Sequence, residues 1–162
     1  MKTAIAFTLN RKACTVDVAA TDRLIDVLRE RLATTASKKA CGIGRCGACM
    51  VLMNGLPTNA CLLMMWQVDG AEIITSEGLV EDAEAAYVRQ GLIEENAFQC
   101  GYCAPGFTVT LTALLSATKA PTEAEIRMAL EGNLCRCTGY HSIVRGALRA
   151  VELKGQAAAA SK

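Results

Sequence analysis

The sequence predicts an α+β protein made of two consecutive parts, a small mixed sheet packed on one helix and then a bundle of four helices. Apolar and polar residues alternate with a period of two near the N-terminus, which is typical of strands. From about Leu79 the apolar residues recur with a period of 3.6, which is typical of amphipathic helices. Nine cysteines are present, and eight of them fall into two groups of four. These observations predict two small domains.

A hairpin and a helix are predicted first. Residues 3–9 and 13–18 alternate across a short connection at 10–12, and this pattern predicts two paired strands. A helix follows, for which Thr21 can act as the N-cap and which carries an apolar stripe from Leu24 to Leu32. The hairpin and the helix together can enclose an apolar core.

Three further strands complete the predicted sheet. Residues 48–53 and 56–60 flank Asn54-Gly55, a pair that favours a tight turn. Pro57 restricts the second of these strands to a sheet edge, because proline has no N–H to donate. Residues 72–75 supply the last strand. The order of these elements suits the β-grasp fold.

Four helices are predicted in the second half. Residues 81–92 form the first, and the second begins at Pro105, since proline is favoured in the first turn of a helix. Thr122 and Glu125 form a capping box that opens the third. An apolar stripe from Val144 to Val151 indicates the fourth. These helices predict a four-helix bundle.

The change of period sets the predicted domain boundary. We expect a β-grasp domain at 1–78, a helical domain at 79–155 and a disordered tail at 156–162. The tail is expected because the last residues of a domain are commonly poorly ordered.

The composition excludes several classes of protein. Seventeen basic and sixteen acidic side chains give a formal charge of +1, a balance that gives no indication of a nucleic-acid partner. No apolar run reaches the roughly 18 residues that a membrane helix needs, and the N-terminus shows no export signal. We therefore expect a cytoplasmic protein, whose reduced cysteines serve as metal ligands or redox groups rather than in disulfides.

Cys41, Cys46, Cys49 and Cys61 form the first group of cysteines. Four, two and then eleven residues separate them, which is the plant-type ferredoxin spacing for a [2Fe-2S] cluster. Two irons bridged by two sulfides need four converging thiolates, and a tight loop can supply three of them. The glycines between these cysteines give the loop the backbone angles that such a wrap needs.

Cys100, Cys103, Cys135 and Cys137 form the second group, as CxxC followed by CxC. The CxxC pair alone also occurs in redox-active disulfides and in zinc sites. A redox disulfide would leave the CxC pair without a role, whereas a second [2Fe-2S] cluster uses all four thiolates. Each pair precedes a predicted helix, whose N-terminal N–H groups can stabilise an anionic cluster.

Zinc is the main alternative metal. It also takes four cysteines, but usually from two CxxC pairs, and the first group lacks that spacing. The ninth cysteine, Cys14, shares one face of a predicted strand with Val16 and Val18. We expect it to be a buried small side chain rather than a redox group.

Three motifs resemble the iron-sulfur subunit or domain of the molybdenum hydroxylases, the xanthine dehydrogenase and aldehyde oxidase family. They are CGIGRCGAC with Cys61, FQCGYCAPG and GNLCRCTGY, and the resemblance covers roughly residues 3–152. It implies a β-grasp [2Fe-2S] ferredoxin domain followed by a four-helix-bundle [2Fe-2S] domain. It also implies the electron-transfer subunit of an oxidoreductase complex, with no substrate-binding catalytic residue on this chain.

The resemblance also implies partners and a direction of electron flow. Electrons would run from a molybdenum centre through the C-terminal cluster to the N-terminal cluster. The implied partners are a large catalytic subunit with a molybdopterin cofactor, in a dinucleotide form, and a medium FAD-binding subunit, with a cytochrome as the alternative acceptor. Gln99 matches the family position that contacts the pterin, and Cys137 matches the ligand that hydrogen-bonds the pterin amino group.

The substrate of the complex is predicted only by overall similarity. The stretch SKKACGIGRCGACMVLMNG is similar to small subunits of the xanthine dehydrogenase type, which favours a purine hydroxylase. An enzyme for N-heteroaromatic compounds, aldehydes, carbon monoxide or an aryl thioester would use nearly the same subunit. From other classes, the chain could be a free-standing two-cluster ferredoxin or a zinc-stabilised adaptor.

Overall fold

A computed structural model describes residues 2–160 and has an α+β architecture, as predicted. The strands are β1 (Lys2–Leu9), β2 (Lys12–Ala19), β3 (Met50–Met53), β4 (Leu56–Asn59) and β5 (Glu72–Ile74). The helices are α1 (Leu24–Glu30), α2 (Met65–Val68), α3 (Ala83–Glu94), α4 (Ala104–Ala117), α5 (Glu123–Ala129) and α6 (His141–Ala160). The strands form one mixed sheet in the order β2-β1-β5-β3-β4, in which only β1 and β5 run parallel.

The connection between β1 and β2 is shorter than predicted. Lys12 already pairs with Leu9, so only Asn10 and Arg11 form the turn. Their φ angles of 50° and 65° lie in the left-handed region. Two such residues match the twist of paired strands, and this geometry explains why the turn needs two residues and not three.

The predicted N-cap of α1 was wrong. Helical geometry begins only at Leu24, and the N-cap position falls at Arg23 rather than Thr21. The Asp22 carboxylate accepts the Ala19 N–H at 3.0 Å and closes the loop after β2. The residues before Leu24 are therefore held in that loop and cannot start the helix.

Caps define the starts of two helices in the second half. The Asp82 side chain accepts the Ala85 N–H at 2.9 Å, so α3 begins two residues later than predicted. The predicted capping box of α5 is confirmed: the Glu125 carboxylate accepts the Thr122 N–H at 2.7 Å, and the Thr122 hydroxyl accepts the Glu125 N–H at 3.3 Å. Both caps satisfy N–H groups that a helix start leaves unpaired.

The expected disorder at the C-terminus was wrong for residues 156–160. These residues continue α6 as far as Ala160, although they are exposed. Alanine has the highest helix propensity, so a run of alanines favours the continuation of a packed helix. Residues 161 and 162 of the predicted tail lie outside the described residues. No helix among residues 2–160 is long and apolar enough to cross a membrane.

Two apolar cores are joined by a third, smaller group of buried side chains. The first core fills the space between the sheet and α1, and the second lies within the helices around Phe107. The joining group includes Leu52 of β3, Leu79, Ala85 of α3 and Val109 of α4. Leu79 thus packs on both halves of the chain, and the proposed boundary between residues 78 and 79 stays a prediction.

Candidate metal centres

The first group of cysteines is arranged around one loop. Cys41, Cys46 and Cys49 lie between α1 and β3, and Cys61 lies just after β4. Three glycines of the loop have φ between 67° and 74°, a region that favours glycine. This bend directs the Gly44 N–H at the Cys61 Sγ, with an N···S distance of 3.2 Å. These four cysteines are the N-terminal site.

Backbone N–H donors lower the pKa of one thiol in the N-terminal site, whereas burial raises the pKa of another. The Ile43 N–H is the main donor that lowers the pKa of Cys41, to about 7, and the Arg45 N–H also lies 3.4 Å from its Sγ. Burial raises the pKa of Cys49 to about 12. A buried thiol of this kind becomes a thiolate when a metal ion supplies positive charge.

The second group of cysteines lies at one end of the helical half. Cys100 and Cys103 precede α4, and Cys135 and Cys137 precede α6. The Cys137 Sγ lies 3.5 Å from the Cys100 Sγ. A cavity of about 510 Å³ is lined by all four residues. These four cysteines are the C-terminal site.

The C-terminal site also has a thiol with a lowered pKa and a thiol with a raised pKa. The Tyr102 N–H donates to the Cys100 thiolate and lowers its pKa. Burial raises the pKa of Cys103 to about 12. Each site therefore combines a sulfur already stabilised by N–H donors with a buried sulfur that depends on a metal.

The sulfurs of both sites lie in pairs, which suits clusters with two irons. A [2Fe-2S] cluster takes four thiolates, two on each iron. Among residues 2–160, no three His, Cys, Asp or Glu side chains converge closely enough to hold a single metal ion. The hydrogen-bonded pairs are Cys41 with Cys46, Cys49 with Cys61, Cys100 with Cys137, and Cys103 with Cys135. The residues present thus fit two two-iron clusters.

Backbone groups bring the two sites together at a junction. The Leu134 N–H donates to the Cys46 carbonyl at 3.0 Å. Cys46 also lines the cavity of the C-terminal site, although it belongs to the N-terminal site. A Cβ added at Gly106, in the first turn of α4, would overlap the Gly47 carbonyl oxygen. Glycine at this position allows α4 to approach the cysteine loop.

Three residues with separate sequence predictions are Gln99, Cys137 and Cys14. Gln99 is exposed beside Cys100, and Cys137 is exposed as well. Their contacts with a pterin stay a prediction. Cys14 is half-buried, pairs with Phe7 across the hairpin and packs against the first core, where burial raises its pKa.

Two polar residues at the sites were missed in the sequence. The Asn59 amide donates to the Gly44 carbonyl at 3.2 Å, and its Oδ1 accepts the Cys49 thiol at 3.7 Å. The Tyr140 hydroxyl accepts the Cys135 N–H at 2.9 Å. Their nearness to cysteines in the chain was the available signal, since Asn59 stands two residues before a cysteine and Tyr140 ends GNLCRCTGY.

Two family models match the chain in the order predicted. Residues 7–65 match a 2Fe-2S iron-sulfur cluster binding domain. Residues 75–148 match a [2Fe-2S] binding domain. The two matches contain the N-terminal and the C-terminal site respectively, so each half of the chain has its own cluster-binding domain.

Relatives and solved structures agree with these models. The chain is 46% identical over 142 residues to a probable xanthine dehydrogenase subunit of Bacillus subtilis, covering 88% of this chain and 82% of the relative. It is 43% identical over 150 residues to the nicotinate dehydrogenase small FeS subunit of Eubacterium barkeri, covering 91% and 96%. Quinoline 2-oxidoreductase from Pseudomonas putida 86 superposes with a TM-score of 0.88 at 33% identity, over 96% of this chain and 97% of that chain. The chain belongs to the iron-sulfur subunits of the molybdenum hydroxylases, the xanthine dehydrogenase and aldehyde oxidase family, and it carries two [2Fe-2S] clusters for electron transfer within an oxidoreductase complex.

Proposed function

We propose that the N-terminal site holds one [2Fe-2S] cluster on its four cysteines and that the C-terminal site holds the other. The observation that carries this proposal is the pairing of the eight sulfurs within the two sites: Cys41 with Cys46, Cys49 with Cys61, Cys100 with Cys137, and Cys103 with Cys135. When bound, the clusters supply one-electron redox chemistry. The chain fixes their positions, limits the access of water and sets their potentials through charge and hydrogen bonds.

The solvent exposure of two cysteines favours the C-terminal site as the point where electrons enter the chain. Cys100 and Cys137 are exposed, whereas Cys49 and Cys61 of the N-terminal site are buried. In this proposal Gln99 and Cys137 contact the pterin of the large catalytic subunit.

Electrons then pass from the C-terminal to the N-terminal site. The route runs from Cys135 to Leu134 and through the Leu134 N–H to the Cys46 carbonyl, a path of covalent bonds with one hydrogen bond in it. The acceptor beyond the N-terminal site is a medium FAD-binding subunit, with a cytochrome as the alternative.

The proposed substrate class is a purine, oxidised by the catalytic subunit. The similarity to a probable xanthine dehydrogenase subunit supports this class. The nearly equal identity to subunits of nicotinate dehydrogenase and nicotine 6-hydroxylase supports an N-heteroaromatic substrate as the second candidate. The substrate pocket belongs to the partner, so the purified complex must decide between them.

Cysteine replacements test the ligand sets. We expect Cys46→Ala and Cys135→Ala each to abolish a different one of the two paramagnetic signals of the dithionite-reduced complex. Each variant should keep about half of the iron, because each site supplies half of the eight thiolates. Cys14→Ala is the matched control and should keep all iron and both signals. Loss of the same signal in both variants, or stoichiometric zinc in the wild type, would refute the two-site assignment.

Copurification tests the assignment to a complex. We expect the chain to isolate with a molybdopterin-bearing subunit when its gene neighbourhood is expressed together. Turnover of xanthine and of nicotinate by that complex then separates the two substrate classes. Isolation of the chain alone, with both clusters and no partner, would instead support a free-standing ferredoxin.

A further inference from the structure

Tyr140 has a strained backbone at the mouth of the C-terminal site. It is the last residue before α6, and its φ of 64° lies in the left-handed region, which is unfavourable for a residue with a Cβ. A strained backbone conformation persists only where contacts with the surrounding structure hold the residue in place, and such residues are common at functional sites. The Tyr140 side chain makes such contacts.

The Tyr140 side chain is fixed beside the cysteines. Its ring lines the same cavity as the C-terminal site, and its centroid lies 6.3 Å from that of Phe107 in a tilted arrangement. Its hydroxyl oxygen accepts the Cys135 N–H at 2.9 Å. Both contacts hold the phenol at one edge of the cavity that the four sulfurs line.

The hydroxyl proton of Tyr140 remains available. The oxygen acts as an acceptor towards Cys135, and no hydrogen bond donated by this hydroxyl is found among residues 2–160. A phenol is both a donor and an acceptor, so the second half of its hydrogen-bonding capacity is unused. The cavity beside it is lined by sulfur atoms that become acceptors as thiolates.

We propose that Tyr140 is a positioning residue that donates a hydrogen bond from its hydroxyl to a sulfur of the C-terminal cluster and so raises the reduction potential of that cluster. This inference rests on the proposed ligand set of the C-terminal site. Reduction adds one electron and one negative charge to the site, and no proton moves. A hydrogen-bond donor stabilises the more negative state more strongly, and hydrogen bonds to sulfur are one of the factors that set such potentials.

Tyr102 provides a matched control in the same cavity. It also lines the cavity, but its hydroxyl donates to the Lys39 carbonyl at 2.9 Å. Its proton is therefore already used by the backbone of the N-terminal half. The two hydroxyl groups therefore differ in their acceptor, which is a backbone carbonyl for Tyr102 and, in this proposal, a cluster sulfur for Tyr140. The experiment tests the effect of that difference.

The test compares Tyr140→Phe with Tyr102→Phe in the intact complex. The potential of each cluster is measured by redox titration, followed by the paramagnetic signals of the two clusters. We expect Tyr140→Phe to lower the equilibrium constant for reduction of the C-terminal cluster by about tenfold, a shift of about 59 mV for one electron. We expect no change in the N-terminal cluster, which serves as a reference within each molecule, and no comparable shift in Tyr102→Phe.

Iron content separates failure of this inference from failure of the ligand set. Four irons with an unchanged C-terminal potential in Tyr140→Phe would overturn the role of Tyr140 and leave the ligand set intact. Equal shifts in both variants would also overturn it, because loss of any hydroxyl from the cavity would then have the same effect. Fewer than four irons in the wild type would instead refute the ligand set.

A second experiment decides the case in which Tyr140→Phe loses the C-terminal cluster. The Tyr87→Phe, Tyr102→Phe double variant leaves Tyr140 as the only tyrosine, since the chain has three. Incorporation of 3-fluorotyrosine then makes its phenol a more acidic and stronger donor without deleting the hydroxyl. A higher C-terminal potential in the fluorinated protein supports the inference, and an unchanged or lower potential overturns it.

Discussion

Gly106 contributes to the N-terminal site although it lies in the other half of the chain. We expect Gly106→Ala to force α4 away from the cysteine loop, because the new Cβ would overlap the Gly47 carbonyl oxygen. Overpacking of this kind typically costs about 1–3 kcal/mol. Iron should then leave the N-terminal cluster faster in the presence of a chelator, as measured by the decay of its paramagnetic signal.

Gly132→Ala is the control for this change. Gly132 has no atom within 4 Å of an added Cβ and no positive φ, so the same substitution adds no overlap there. We expect wild-type iron release from this variant. Equal rates in the two variants would mean that the approach of α4 to the loop does not hold the cluster.

The residues of the two sites differ in how well the sequence predicts them. The cysteines were grouped from spacing alone, because a two-iron cluster requires a fixed number of thiolates from a loop that can wrap it. Tyr140 and Asn59 had no such signal. The Tyr140 side chain makes one hydrogen bond, to Cys135, and the Asn59 side chain makes two, to Gly44 and Cys49. A polar residue near a cysteine in the sequence is equally compatible with solvent exposure.

Helices α3 and α6 cross where two glycines meet. A Cβ added at Gly91 would overlap the Gly146 carbonyl oxygen, so the backbones are in direct contact. We expect Gly91→Ala to lower the free energy of unfolding by about 1–3 kcal/mol, because the added methyl group would push the two helices apart. Thermal unfolding followed by circular dichroism should show a lower midpoint.

Gly155, also in α6, provides the contrasting substitution. An added Cβ there meets nothing within 4 Å, and the residue is exposed. We expect Gly155→Ala to raise the midpoint slightly, because alanine is favoured over glycine in a helix by up to about 1 kcal/mol. A lowered midpoint in both variants would indicate that helix crossing is not the cause.

Helices and strands with long hydrophobic patterns were predicted well. A one-turn helix and a helix start that depends on a local side-chain hydrogen bond were not. β1, β2 and the four helices of the second half follow from their patterns, and the α5 cap follows from Thr122 and Glu125. α2 was missed because its single turn, Met65–Val68, is too short to show a period. The start of α1 was misplaced because Asp22 bonds back to β2 instead of capping the helix.

The two clusters should act as cross-links between distant parts of the chain. In the proposed ligand set the C-terminal cluster joins segments that lie 37 residues apart in the chain, from Cys100 to Cys137. We expect removal of iron by a chelator under reducing conditions to lower the thermal midpoint, because metal binding to a folded site contributes to folding free energy. Circular dichroism of the metal-free and loaded protein measures this difference. Coincident melting curves would show that both halves are stable without metal.

The predicted order of two domains follows from the change of hydrophobic period, and both family models follow the same order. The junction between the sites could not be predicted. Its contacts are made by the Leu134 N–H, the Cys46 carbonyl and the backbone of Gly47, and every residue except proline offers both an N–H and a carbonyl. Periodicity reports which faces are buried, but it carries no information on which carbonyl meets which N–H.

The bond between Leu134 and Cys46 therefore has an evolutionary consequence. Because both partners are main-chain groups, substitutions of the Leu134 side chain leave the donor in place, with proline as the exception. Neighbouring side chains can therefore vary while the hydrogen bond between the two sites is kept. Evolution can thus alter the surface around the two sites without breaking the bond that joins them.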